Sequence, residues 1–92
     1  MSRLIQNQYI PDTVSPPGET LQEILEEIGM TQAELAERTG RPEKTIGEII
    51  KGKAAITPET AIRLEQVLGT PAEFWSRREQ KFRDWLARRE AR

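Results

Sequence analysis

The sequence predicts an all-α domain built from five helices, with a helix-turn-helix unit near its middle. Two observations predict this fold class. Apolar residues recur at helical spacing in successive segments of the chain. A glycine follows each of the first four segments, and a proline stands at or near the start of four of the five. The length of 92 residues suits one domain with a single core.

The first helix is predicted to run from Pro17 to Ile28 and to end at Gly29. One face carries its apolar residues at positions i, i+3, i+4 and i+7, namely Leu21, Ile24, Leu25 and Ile28. Residues 1–16 are predicted to form an extended N-terminal arm, because two prolines close it and disfavour helix before them. The arm is either a mobile tail or a strand that pairs with a partner. Residues 17–92 are predicted to form the domain.

Residues 31–51 are predicted to form the helix-turn-helix unit. Thr31 and Glu34 are typical of a capping box that starts a helix. Gly40 suits the left-handed position that ends it, and Pro42 suits the first position of the next helix.

The inner residues of this unit have the sizes that two closely packed helices require. Ala36 is small where the helices approach each other, and the second helix has an inner face of Ile46, Ile49 and Ile50. In helix-turn-helix proteins the second helix enters the DNA major groove. An ordinary αα-hairpin in a small bundle uses similar glycine turns, so the spacing alone leaves both interpretations open.

Two more helices follow. Thr57 and Pro58 are predicted to start the fourth helix, which ends at Gly69. Its predicted inner face consists of Ala61, Leu64 and Leu68, widened by Ile62. The segment Thr70-Pro-Ala-Glu73 resembles a second capping box and is predicted to open a long last helix over about residues 71–89.

An apolar stripe with many aromatic residues runs along one face of the last helix. Its members are Trp75, Phe82, Trp85 and Leu86. The stripe has two interpretations: it covers the core of its own domain, or it forms a dimer or partner interface.

Composition excludes several classes of function. The chain has neither cysteine nor histidine, so we expect no disulfide, no metal site, no cofactor and no enzymatic activity. No apolar run approaches the ~18 residues of a membrane span, which predicts a cytoplasmic protein. The net charge of −1 argues against strong DNA binding, although residues 74–92 carry seven basic and three acidic side chains.

Several motifs together resemble the HigA family of antitoxins, the plasmid-maintenance antidote proteins. They are Pro16-Pro-Gly-Glu19, Gly29-Met-Thr-Gln-Ala-Glu-Leu-Ala36, Ile56-Thr-Pro-Glu59, Leu68-Gly-Thr-Pro-Ala-Glu-Phe-Trp75 and Trp85-Leu86. The resemblance covers about residues 16–86. It implies a lambda-repressor-like fold and a homodimeric cytoplasmic repressor that binds double-stranded operator DNA of its own operon. It also implies a cognate ribonuclease toxin as a possible partner.

The resemblance places the DNA-binding residues on and beside the second motif helix, with Arg41, Lys44 and Thr45 on its first turn. Lys44 is suited to guanine O6 and N7, and Thr45 to a thymine or a phosphate. The full predicted set is Gln32, Arg41, Glu43, Lys44, Thr45, Lys51 and Lys53. Gln32 is expected to contact a phosphate or brace the recognition helix. The two lysines after the helix suit phosphates, which fix position but not sequence.

Three residues depart from the family pattern on the helix that should face DNA. Gly47 lowers its helix propensity, and Glu43 and Glu48 add negative charge. A carboxylate can accept from cytosine N4, so these residues are compatible with DNA but weaken its attraction. The alternative prediction is therefore a toxin-binding or other interaction module, or a regulatory domain of a larger protein, with weak or lost DNA binding.

Overall fold

The computed structural model describes residues 14–91, which contain five α-helices and no strand. The helices are α1 Pro17–Ile28, α2 Gln32–Thr39, α3 Glu43–Ile50, α4 Pro58–Leu68 and α5 Ala72–Glu90. The all-α, five-helix prediction is therefore confirmed. Residues 14–16 lack regular structure, and the remainder of the predicted arm, residues 1–13, lies outside the described residues. No helix in 14–91 is long and apolar enough to cross a bilayer.

Local chemistry sets most helix boundaries as predicted. The Thr31 hydroxyl accepts a hydrogen bond from the Glu34 backbone N–H at 3.0 Å, and the Thr57 hydroxyl accepts from the Thr60 N–H at 3.2 Å. The Glu34 carboxylate pairs with Arg38 at 2.9 Å, so it does not serve as the reciprocal half of a capping box. Left-handed glycines follow α1, α2 and α4.

Two predicted helix starts are shifted by one residue. Pro42 and Pro71 precede α3 and α5 as their N-cap residues instead of occupying the first helical position. The predicted cap at Thr70 is replaced by a contact from α4, because the Glu65 carboxylate accepts from the Ala72 N–H at 2.8 Å. A carboxylate is well placed there, since the N-terminus of a helix carries a partial positive charge.

The core lies where α1, α2, α3 and α4 meet, and α5 closes it. Helix α1 packs on α3 and α5, α2 packs on α3 and α4, and α4 packs on α5. The buried cluster consists of Leu21, Leu25, Leu35, Ala36, Ile46, Ile49, Ile56, Ala61, Leu64 and Trp75.

Two apolar residues predicted to face this core are exposed instead. The side chain of Ile28 is 53% exposed, and that of Ile62 is 51% exposed. Ile28 is the last residue of α1 and lies three residues beyond Leu25, the last buried residue of that helix. Ile62 lies about 200° around α4 from the buried Leu64, so the same helix cannot bury both.

A buried carboxylate joins α5 to the segment between α3 and α4. Glu79 accepts a hydrogen bond from the Ile56 backbone N–H at 3.0 Å through Oε1. Its other oxygen accepts from the Arg83 guanidinium one turn along the helix. Glu79 could not be identified from the sequence, because a Glu–Arg pair at i, i+4 is also typical of an exposed helix face.

Replacing Glu79 with alanine is expected to lower the free energy of unfolding by about 1–3 kcal/mol, because the buried Ile56 N–H loses its acceptor. Glu79→Gln is the matched control, since its amide oxygen still accepts that hydrogen bond. Urea unfolding followed by circular dichroism measures both variants. Equal losses for alanine and glutamine would show that the hydrogen bond to Ile56 is not the stabilising contact.

Candidate nucleic-acid interface

Helix α3 is held by its inner face and presents its first turn to solvent. Ile46 and Ile49 are almost completely buried and anchor the helix in the core. On the other side, Glu43 and Lys44 are exposed, and Thr45 is half-buried. The helix has eight residues, so at ~1.5 Å per residue it is about the width of a major groove. Its N-terminal turn is therefore the part that is open to another molecule.

The turn between α2 and α3 fixes the angle of α3 through backbone contacts. Gly40 has a φ of 71°, which a glycine adopts without steric cost. The next residue, Arg41, donates its backbone N–H to the Ala36 carbonyl at 3.0 Å. Beneath the turn the buried Thr39 hydroxyl donates to the Leu35 carbonyl at 2.7 Å.

The other end of α3 is positioned by α1. Gly18 is buried, and a Cβ added to it would lie 2.1 Å from the Ile49 carbonyl oxygen and 2.6 Å from the Ile50 Cα. Helix α1 therefore rests directly on the backbone of α3. In the sequence Gly18 is only one residue of the motif Pro16-Pro-Gly-Glu19, because a contact between two helices is not visible in a one-dimensional pattern.

The predicted lysines are accessible. Lys44, Lys51 and Lys53 are all exposed. All ion pairs within residues 14–91 involve arginines. In this part of the chain the three lysines therefore keep their charges available to an anionic ligand.

Gln32 lies between α1 and α3. Its amide group donates to Gln22 Oε1 at 3.4 Å, and its own Oε1 is 3.5 Å from the position that a Cβ on Gly47 would occupy. Gln32 thus contacts the helix before α2 and lies against the solvent-facing side of α3. This arrangement suits the bracing role that the resemblance implies for it.

Arg41 is engaged by its own protein. Its Nη2 atom lies 3.0 Å from Glu59 Oε1, and its side chain is only 23% exposed. Arg63 pairs with the other Glu59 oxygen at 3.5 Å and donates to the Thr39 carbonyl at 3.1 Å. The hydrogen bond and the charge of Arg41 lower the pKa of the Glu59 carboxyl, and Arg63 adds to this effect. Arg41 precedes α3, whereas the resemblance places it on the first turn of that helix.

The aromatic stripe on α5 divides into a buried half and a half-exposed half. Trp75 is 0% exposed and Phe82 is 7% exposed, so both belong to the core of their own chain. The interface prediction therefore does not hold for these two residues, because side chains buried within their own chain present almost no surface to a partner. Trp85 and Leu86 are half-buried, with Arg89 stacked 4.9 Å above the Trp85 ring. For these two residues the interface remains a prediction.

Comparison with known proteins is consistent with this architecture. The helix-turn-helix family matches residues 21–75. An uncharacterised helix-turn-helix transcriptional regulator of Escherichia coli K12, YddM, is 37% identical over 59 residues, which are 64% of this chain and 63% of that protein. The chain spans less than two thirds of the length of the curated relatives it matches.

Solved structures extend the similarity over most of the chain. A candidate antidote protein of a plasmid maintenance system from Nostoc punctiforme is 34% identical, with a TM-score of 0.82 over 86% of this chain and 87% of that one. The antitoxin HigA of Pseudomonas aeruginosa, solved with the higBA promoter, is 29% identical, with a TM-score of 0.77 over 80% of this chain and 82% of that one. The chain therefore belongs to the helix-turn-helix family and, within it, to the HigA-type antidote proteins.

Proposed function

We propose that this protein is a sequence-specific DNA-binding repressor, the antitoxin of a toxin–antitoxin module that binds the operator of its own operon. The observation that carries the proposal is the exposed first turn of α3 with the accessible lysines on and after that helix. The HigA protein of the same fold was solved with its promoter, which supports the assignment.

In the proposed complex the N-terminal turn of α3 enters the major groove. Lys44 donates to guanine O6 and N7, and the methyl or hydroxyl group of Thr45 contacts a thymine or a phosphate. Lys51 and Lys53 stand just after α3, where they neutralise phosphates and fix the register of the helix. Gln32 braces α3 from the side of α2, and its side chain is partly exposed to solvent.

A two-fold dimer is the proposed binding unit. Helix-turn-helix dimers place their recognition helices in successive major grooves about 34 Å apart. Trp85 and Leu86 are the proposed contacts between the two copies, because they are half-exposed on the far end of α5. A protein that binds operator DNA works in the compartment that holds the DNA, so we place it in the cytoplasm.

The acidic residues on α3 favour a second candidate function. Glu43 is exposed and Glu48 is half-exposed on the helix that would face DNA, and each carboxylate repels the phosphate backbone. A module that mainly binds its toxin, or regulates a larger protein, needs no attraction to DNA. Co-purification of a neighbouring gene product at a fixed stoichiometry, without any shift of the upstream DNA, would favour this candidate.

Lys44→Ala is expected to weaken binding to the upstream DNA of the protein's own gene roughly tenfold and to relax the preference for one base pair. Lys81→Ala is the matched control, because it removes the same charge from an exposed position on α5. Fluorescence anisotropy with the upstream DNA and a shuffled duplex measures both effects.

Two results would contradict the proposed repressor function. The first is a wild-type protein that binds the upstream and shuffled duplexes equally well. The second is a Lys44→Ala variant that binds the upstream DNA as tightly as Lys81→Ala does, since Lys44 would then contribute nothing to base recognition.

A further inference from the structure

One carboxylate holds two arginines at the turn of the helix-turn-helix unit. Glu59, the second residue of α4, lies 3.0 Å from Arg41 and 3.5 Å from Arg63. The Glu59 side chain is 65% exposed, so the cluster sits at the surface. Arg41 stands two residues before the start of α3, which places the cluster beside the turn that the proposed function directs at DNA. We call Arg41, Glu59 and Arg63 the elbow cluster.

We infer that Glu59 is an internal competitor for DNA phosphates: it binds the guanidinium groups of Arg41 and Arg63 and thereby limits the affinity of the DNA-binding face. The inference rests on the proposed function and adds a residue on α4 that regulates it. Its basis is that a carboxylate and a phosphate offer a guanidinium the same paired oxygen acceptors. A phosphate that approaches this turn therefore competes with Glu59 for Arg41.

Within the described residues, the Glu59 carboxylate makes no hydrogen bond to the backbone of the turn, and of the elbow cluster only the Arg63 side chain does, to the Thr39 carbonyl. Backbone contacts already fix the turn, through the left-handed Gly40 and the hydrogen bond from the Arg41 N–H to the Ala36 carbonyl. Below it, Ile46 and Ile49 are anchored in the core. The Glu59 side chain is 65% exposed, and ion pairs with a solvent-exposed partner contribute little to stability. Removing the Glu59 carboxylate should therefore release Arg41 without moving α3, while Arg63 keeps its hydrogen bond to the Thr39 carbonyl.

The competition matters because the other arginine of the unit is also paired. Arg38 lies 2.9 Å from Glu34 on α2. Within the described residues from Thr31 to Arg63, each arginine thus has a carboxylate partner, and lysines supply the remaining positive charge. This pairing reduces the basic charge that the face presents to DNA, in a chain whose net charge is already −1.

The test compares Glu59→Gln with Glu73→Gln. The two residues match closely: Glu73 is also the second residue of its helix, is 73% exposed and pairs with an arginine one turn later. The two substitutions therefore make the same change in net charge and the same change at a helix N-terminus. They differ in position, because Glu73 lies on α5 and not beside the turn.

Glu59→Gln is expected to bind the upstream DNA roughly 3- to 10-fold more tightly than Glu73→Gln at low salt, because the released Arg41 adds a phosphate contact. The slope of log K against log salt should steepen by about one to two units. Adding Arg41→Ala to Glu59→Gln should remove most of the gain. Urea unfolding of each variant verifies that the fold is retained.

The inference is overturned if Glu59→Gln binds no more tightly than Glu73→Gln, or if the gain survives Arg41→Ala. A weaker Glu59→Gln variant also overturns it, since Glu59 would then position Arg41 for DNA. Failure of the proposed function is seen separately, as a wild-type protein without preference for the upstream DNA. In that case the same comparison on a shuffled duplex at low salt still decides whether Glu59 competes.

Discussion

Trp75→Ala is expected to lower the free energy of unfolding by about 3–5 kcal/mol, the largest effect of any substitution considered for this fold. The Trp75 side chain is 0% exposed and is the largest fully buried side chain. It is the part of α5 that completes the core. A domain of this size has about 5–10 kcal/mol of stability, so the loss should leave a protein close to its unfolding midpoint at physiological temperature.

Two other substitutions, Phe74→Ala and Trp75→Phe, serve as controls for Trp75→Ala. Phe74→Ala removes an adjacent aromatic ring that is 37% exposed and should cost clearly less. Trp75→Phe should also cost less than alanine, because it keeps an aromatic ring in the space. It also removes an indole N–H that has no hydrogen-bond acceptor within residues 14–91. Urea unfolding followed by far-ultraviolet circular dichroism measures all three variants.

The interface interpretation of Trp75 makes the opposite prediction. A tryptophan that lies between two copies would make stability depend on protein concentration. Trp75→Ala would then resemble Phe74→Ala at low concentration, where both proteins are monomers. A loss of about 3–5 kcal/mol that is independent of concentration would confirm that α5 uses Trp75 to close its own core.

Sequence reasoning predicted the helices well because their boundaries depend on nearby residues. The Thr31 hydroxyl reaches a backbone N–H three residues away, and a left-handed glycine ends a helix by its own conformation. Burial depends on distant elements instead. The periodicity of α1 gave Ile28 the same direction as Leu21, but only the arrangement of the other helices leaves the Ile28 side chain 53% exposed.

The candidate site was predicted in part for the same reason. The exposed lysines were identified from their positions on and after the second motif helix, which is local information. Whether a charged side chain is already bound by the protein is not local. Arg41 meets Glu59 across 18 residues of sequence, and Ile56 meets Glu79 across 23. In the sequence, both carboxylates resemble the exposed acidic residues of any helix. Only the folded structure shows that each has a partner beside it.

Gly18→Ala is expected to lower the free energy of unfolding by about 1–3 kcal/mol or more, because the added methyl group cannot fit. Its position would lie 2.1 Å from the Ile49 carbonyl oxygen, and backbone atoms yield far less readily than the end of a side chain. To relieve the contact, α1 and α3 must separate. The substitution should therefore also weaken binding to the upstream DNA beyond what the loss of folded protein explains.

Gly47→Ala is the matched control, since it makes the same change in a helix at a position with room. A Cβ there lies 3.5 Å from Gln32 Oε1, an ordinary contact. Alanine is favoured over glycine inside a helix by roughly 0.5–1 kcal/mol, so this variant should be more stable than the wild type. Opposite signs for the two substitutions would show that close packing against Ile49, and not helix propensity, requires glycine at position 18. If both variants gained stability, α1 would not rest on the backbone of α3, and the depth at which α3 is held would need another cause.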